Sequence, residues 1–498
     1  MVQASGHSAA AAVGVAVARR MVCVPPMSAP DLLRPCRAAL LAPMLLFGGP
    51  ALAAPMEASL GLAWGLPFAG LLLSIALLPL VAGHLWHVHY GKIAAAWAAA
   101  LVLPFALAFG LGPALVEIRH VLLQDWVPFM ALLLALYTTG GGVVLRGRLV
   151  GTPAVNTALL AAGTLAASVM GTTGASIVFL PPLLRANAFR IRKVHSLVFF
   201  IFLVSNIGGA LTPLGDPPLY LGFLKGVGFL WTVQHLAAEF LLCAVLLLGL
   251  YWLLDRRAWA KEQPSAPALR EGEGGLHIRG RRNLALLGAV LGVVLLQGVW
   301  QPGPVGLLGE PIGQERLLAV AAFLGITVVS FRVTPLALRE ENGFGWGAIV
   351  EVAKLFAAIF ICMAPLLAIL RAGRDGAAAG LVGLTTDAAG APVPAAYFWL
   401  TGLLSSFLDN APTYLVFFNL AGGDAVRLMG PDASLLAAIS CGAVFMGANS
   451  YIGNAPNFMV KAMAERAGVE MPGFFGYCAW AAAVLLPLFG LVTLAFFA

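Results

Sequence analysis

From about residue 60 onward the chain alternates apolar runs of 18 to 25 residues with short polar stretches. A helix of that length crosses roughly 30 Å of hydrocarbon, so each run predicts a membrane-spanning helix. Uninterrupted runs fall at 60–83, 92–115, 126–145, 232–254, 283–300, 316–334, 347–371 and 473–497. Four others are broken. The run 155–184 is interrupted by Gly171-Thr172-Thr173-Gly174, and 195–228 by Pro213, Gly215, Pro217 and Pro218. Asp409-Asn410-Ala411-Pro412 interrupts 395–420, and Gly453-Asn454-Ala455-Pro456 interrupts 434–463. The expected fold class is an all-α polytopic membrane protein.

The breaks come in pairs. Thr172-Thr173-Gly174-Ala175-Ser176 matches Asp409-Asn410-Ala411-Pro412-Thr413 at an offset of 237 residues. Gly209-Ala210 and Gly215-Asp216-Pro217-Pro218 match Gly447-Ala448 and Gly453-Asn454-Ala455-Pro456 at an offset of 238. Two half-proteins of one plan are expected: 54–254 and 283–498, joined by a basic, solvated linker at 255–282. Paired Gly/Pro-interrupted segments point to a transporter's binding site.

Loop charge sets the expected orientation. With 155–184 read as a re-entrant hairpin, 18 Lys and Arg fall in loops on one side and six on the other, so the richer side is cytoplasmic. The second hairpin, 395–420, then enters from the opposite face, and the repeats are inverted. Residues 1–53 read as a leader, a signal peptide cut near Ala53 after Arg34, Arg37 and the apolar stretch 38–49. An uncleaved anchor is the alternative.

Composition sharpens this picture. The 498 residues are 60% apolar and 10% charged, against about a quarter charged in soluble domains, which largely excludes soluble enzymes and nucleic-acid binders. The net charge of +7 is loop charge, not a nucleic-acid surface. Six scattered Cys show no CxxC pairing and suggest neither disulfides nor a metal centre. His84, His87 and His89 match no zinc spacing and read as interfacial residues. There is no P-loop, and HExxH and GxSxG are absent too, so neither ATP-driven pumping nor intramembrane catalysis is expected.

Four carboxylates fall within the predicted spans: Asp216, Glu239, Glu351 and Asp409. Ionisable groups at membrane depth are costly and so are functional candidates. Asp216 and Asp409 lie in the breaks, where unwound backbone can face a cavity. A carboxylate beside free carbonyls and side-chain oxygens suits Na⁺, and the same group can exchange a proton. The expected oxygen donors are Thr172, Thr173, Ser176, Asn206, Thr212, Asn410, Thr413, Asn449, Ser450, Asn454 and Asn457. The competing reading is that both aspartates merely cap the half-helices that follow. Glu351 and Lys354, three apart on one helix, are expected to neutralise each other.

These same residues carry a family resemblance. Met170 to Ala175, Ser205 to Pro218, Phe407 to Thr413, Gly447-Ala448-Asn449 and Trp346 to Leu370 resemble NhaD-type sodium/proton antiporters and their citrate-transporter relatives in the ion transporter superfamily. The resemblance implies inverted repeats, each with a re-entrant hairpin and a broken helix, often in a homodimer moving by an elevator-like shift. Dicarboxylate carriers of that superfamily bear Ser-Asn-Thr triplets at the hairpin tips. Here the tips read Thr172-Thr173-Gly174 and Asp409-Asn410-Ala411.

The expected function is Na⁺/H⁺ exchange at Asp216 and Asp409 in a bacterial-type cytoplasmic membrane. Partners are the lipid bilayer and small ions, with no cofactor, metal or nucleic acid. An ion-coupled citrate or dicarboxylate carrier is the alternative, and an oxyanion exporter a weaker third.

Overall fold

The computed structural model describes residues 60–147, 149–262, 277–373 and 376–498; the predicted leader and the centre of the linker lie outside them. In chain order, the first half comprises α1 (Leu66–Val81), α2 (Gly83–Phe109), α3 (Leu111–Val121), α4 (Val127–Gly140), β1 (Val144–Arg146), α5 (Pro153–Met170), α6 (Thr172–Ala186), α7 (Val194–Leu203), α8 (Pro217–Leu224) and α9 (Phe229–Trp259). The second half comprises β2 (His277–Arg279), α10 (Arg281–Val299), β3 (Pro304–Leu307), β4 (Glu310–Gly313), α11 (Gln314–Val333), α12 (Leu336–Glu341), α13 (Trp346–Arg371), α14 (Ala379–Gly383), α15 (Pro394–Phe407), α16 (Asn410–Leu420), α17 (Ala425–Met429), α18 (Ala433–Met446), α19 (Ala455–Arg466) and α20 (Phe474–Val492).

Nine helices among the described residues are long and apolar enough to cross a membrane. The protein is an all-α polytopic membrane protein, trimmed by two short antiparallel ribbons, β1–β2 and β3–β4. All four predicted breaks are present. Gly171, at φ 78°, turns α5 back into α6, a conformation only glycine takes without strain. The second hairpin turns at Leu408 and Asp409, both at negative φ, so no glycine is needed there.

Two span boundaries differ from expectation. The gap read between 115 and 126 is helical: Gly110, at φ 95°, ends α2, and the chain then runs from Leu111 to Gly140 through a π-turn at Leu122–Trp126. Helix α9 likewise continues past 254 to Trp259. Glu117, Asp125 and Asp255 therefore lie within spans, beyond the four carboxylates expected. Two of them are neutralised by partners far away in sequence: Asp125 by Lys225 at 2.6 Å and Asp255 by Arg190 at 2.6 Å. A hydropathy pattern cannot register such pairing.

The loops sort into two ends. At one, β1 pairs with β2, Arg146 binds Glu341, Arg185 donates to the Leu145 carbonyl, and the Ile191 and Arg192 amides donate to Glu262. Arg146 holds the Glu341 carboxyl below its ordinary range. At the other end, Arg119 binds Glu310, Arg316 donates to the Gln124 and Leu224 carbonyls, and Trp231 donates to the Met429 carbonyl. The first group joins four of the segments assigned by sequence to the basic side, and the second joins segments assigned to the other.

At the basic end a buried cluster ties the first hairpin to α9. Asp255 contacts Arg190, accepts from Asn156 at 3.1 Å and lies 2.8 Å from His195 Nε2. Breaking a buried ion pair from one side typically costs 3–5 kcal/mol, because the remaining charge is left unpaired. Arg190→Ala should therefore destabilise the protein by about 3 kcal/mol or more. Survival of folded protein after a heating series, read by size-exclusion chromatography in detergent, checks this.

Candidate functional site

The two broken segments meet at Asp216, which is buried. Its Oδ1 accepts from Thr172 Oγ1 at 2.9 Å and from Asn454 Nδ2 at 3.2 Å, and its Oδ2 accepts from Asn410 Nδ2. These donors come from the first hairpin, the second broken segment and the second hairpin. All four breaks thus converge on one carboxylate. Each contributes a residue at or next to the start of a half-helix: Thr172 opens α6, Asn410 opens α16, and Asp216 and Asn454 precede α8 and α19. Helix N-termini carry about half a positive charge each, so four of them favour negative charge at this point.

The capping alternative separates the two aspartates. Asp409 Oδ1 accepts from the Ala411 amide at 3.1 Å and caps α16, whereas the Asp216 side chain makes no cap bond to α8. Asp409 is less buried, but it lies within electrostatic reach of Asp216.

The predicted oxygen donors divide between the site and its supports. Asn206 links the halves, donating to Asn457 Oδ1 at 2.7 Å and accepting from Asn454 at 3.3 Å. Asn457 in turn donates to the Gly447 and Ser450 carbonyls, both at 2.8 Å. Ser176 shares a 3.0 Å hydrogen bond with Ser205. Thr173 lines the adjoining cavity. Thr413 is spent on its own helix, donating to the Asp409 carbonyl at 2.9 Å. Thr212, Asn449 and Ser450 brace the breaks rather than touch Asp216.

That bracing repeats between the halves. Ser168 Oγ donates to the Gly208 carbonyl at 2.6 Å, as Ser406 Oγ donates to the Met446 carbonyl at 3.1 Å. Thr212 donates to the Ser168 carbonyl, as Ser450 donates to that of Ser406. The Leu214 and Ile452 amides complete the set by donating to Thr212 and Ser450. Every pair is offset by 238 residues. Ser168 and Ser406 were missed in the sequence, although the same offset marks them. Asn449 donates to Ser406 Oγ at 2.9 Å within this bracing.

The Glu351–Lys354 pair does not form among the described residues. Lys354 Nζ instead lies 5.5 Å from the Tyr90 ring, and Glu351 has His87 as an electrostatic neighbour and the Trp86 indole as a hydrogen-bond partner. Three-residue spacing permits an ion pair, but α2 offers each group a neighbour of its own. Glu239 is buried, and its Oε2 has no partner among the described residues.

Beside Asp216 lies a cavity of about 150 Å³, walled by residues of α4, the first hairpin tip, α8, α13 and α19. Among the described residues Asp216 is the one charged group on its wall; the rest is apolar apart from Thr172, Thr173, Tyr137 and Tyr220. Two polar atoms at or near this site lack a partner among the described residues, Asn410 Oδ1 and the Tyr220 hydroxyl. They are the spare oxygens an ion could use. Among the described residues no group of three or more His, Cys, Asp or Glu could hold a metal.

Residues 57–497 match the model of the family described as "Putative citrate transport". The chain belongs to that family. It is also similar to an uncharacterized transporter of Mycobacterium bovis and to one of Mycobacterium tuberculosis, each 28% identical over 309 residues. The aligned part is 58% of this chain and 64% of each relative's length. All four breaks and the cavity lie inside the residues that match the family.

Proposed function

We propose that this protein is a secondary transporter exchanging Na⁺ for H⁺, with Asp216 as the group that holds either ion in turn. The observation that carries the reading is the wall of the central cavity: among the described residues it has one carboxylate, no Lys, Arg or His, and oxygens from Thr172 and Thr173 alongside. A cation gains from that wall, whereas a trivalent anion would meet the Asp216 charge with no cationic side chain opposite. Asn410 Oδ1 is a ready additional ligand. Competition between Na⁺ and H⁺ for one carboxylate suffices to couple their fluxes.

The two halves are read as inverted repeats. In support, the open end of the first hairpin lies at the basic end, where Gly151 donates to the Ala186 carbonyl, while the open end of the second lies with Arg371 beside Gly423. The basic end faces the cytoplasm on this reading. The bilayer of a bacterial-type inner membrane is the setting, and a homodimer the expected assembly.

One observation favours the second reading, a cation-coupled citrate carrier. If Asp216 is neutral, the four converging half-helix N-termini are free to receive a substrate carboxylate, and the family's description names citrate.

Proteoliposomes with a pH-sensitive dye inside separate the two. Under the antiport reading, external Na⁺ should drive dye-reported proton movement without citrate, saturably and more strongly than K⁺. Movement that appears only with citrate supports the carrier instead.

A further inference from the structure

A second cavity, of about 210 Å³, lies against the opposite half of the same helices. Its wall is charged, with Glu117, His120, Asp125, Lys225, Glu310 and Arg371, and these residues belong to the end of the molecule opposite the basic one. Three elements order the two cavities identically. On α13, Ile349 and Val352 line the central cavity and Phe360 to Arg371 the charged one. On the Leu111–Gly140 stretch, Leu132 to Tyr137 line the first and Val116 to Asp125 the second. On the segment around α8, Asp216 and Tyr220 face the first and Lys225 the second.

Between them, on those same elements, lies a packed aromatic layer. Phe129 stands 4.8 Å from Phe356, 5.7 Å from Phe360 and 6.5 Å from Tyr220, and Phe356 stands 5.8 Å from Phe360. Phe129 and Tyr220 are buried at 0% and 1% exposure. Rings at such separations leave no room for a hydrated ion, and apolar constrictions of this kind gate pores by excluding water.

We infer that the charged cavity is the outer mouth of the transport route, and that Phe129, Phe356, Phe360 and Tyr220 form its closed gate. The structure then holds Asp216 open toward the basic end and sealed from the other. Half-helix α8 crosses the layer: eight residues, about 12 Å at 1.5 Å each, separate the site at one end from the Lys225–Asp125 ion pair at the other. The inference rests on the transport reading but not on which ion is carried, so it can fail independently of the exchange assay.

Thiol labelling tests it in the full chain, with Val352→Cys reporting the central cavity and Ala368→Cys the charged one. A membrane-impermeant methanethiosulfonate is applied to right-side-out or inverted vesicles, with the parent chain as background. Val352→Cys should react from one face only and Ala368→Cys only from the other. Adding Phe356→Ala should speed modification of Val352→Cys from the Ala368 face about tenfold or more, the effect of lowering a barrier by roughly 1.4 kcal/mol. Reaction of both cysteines from the same face overturns the inference. An unchanged pattern in a folded Phe356→Ala variant does so too; if that variant does not fold, Phe356→Leu replaces it under the same criterion.

Discussion

Asp216→Asn should abolish coupled exchange while leaving the protein folded. The substituted side chain keeps an oxygen for Thr172 and Asn454, but its new NH₂ faces the Asn410 amide nitrogen. Asn410 can turn over, because its own Oδ1 has no partner among the described residues. The hydrogen-bond pattern is then restored without a negative charge. With neither a charge for Na⁺ nor a site for the proton, dye-reported exchange should fall by about 100-fold or more, roughly 2.7 kcal/mol of lost stabilisation. An unchanged elution profile in detergent shows that the fold survives. Near-normal exchange by this variant would end the assignment.

Asp409 provides the contrast. Asn serves at an N-cap about as well as Asp, whereas Ala costs typically about 1 kcal/mol. If Asp409 only caps α16, Asp409→Asn should behave as the parent and Asp409→Ala should be less stable. If it also binds the ion, both should lose exchange. The proposal accordingly places the exchanged ion on Asp216, with Asp409 as cap of α16 and electrostatic neighbour.

Much of this was legible because the breaks are costly in a membrane and therefore conspicuous. Gly, Pro, Asn and Asp stand out in runs of Leu, Ala and Val, and their recurrence at offsets of 237 and 238 residues located the four breaks that build the site. Spacing along the chain could not show that Asn454 and Asn410 reach across to Asp216, since offsets align the halves without docking them. Nor could it show how polar residues find partners. Asp125 fell in the gap between two predicted spans, and its neutralising contact with Lys225 spans 100 residues of sequence. Glu351 and Lys354 read as a pair because the helix permits it, while Tyr90 and His87 on α2 decide otherwise.

The glycines at the breaks have a purely steric explanation, and it carries the other large effect. The chain crosses itself where Gly215 passes Gly209, and a Cβ on Gly215 would lie 2.2 Å from the Gly209 carbonyl oxygen. The second half repeats this where Gly453 passes Gly447, with a clearance of 2.6 Å. The obstacle is backbone in both cases, so no side chain can rotate away, and relief requires moving the loop that holds Asp216 or Asn454. Overpacking of this kind costs typically 1–3 kcal/mol and occasionally more. Gly215→Ala should therefore lower stability by about 3 kcal/mol or more, with Gly453→Ala somewhat milder. Gly249, on α9 with nothing within 4 Å of its Cβ position, is the control, and Ala there should be neutral or slightly stabilising. The fraction of folded protein after stepwise heating ranks the three. If Gly215→Ala survived heating as well as Gly249→Ala, the tight crossing would not be what fixes the loop beneath Asp216.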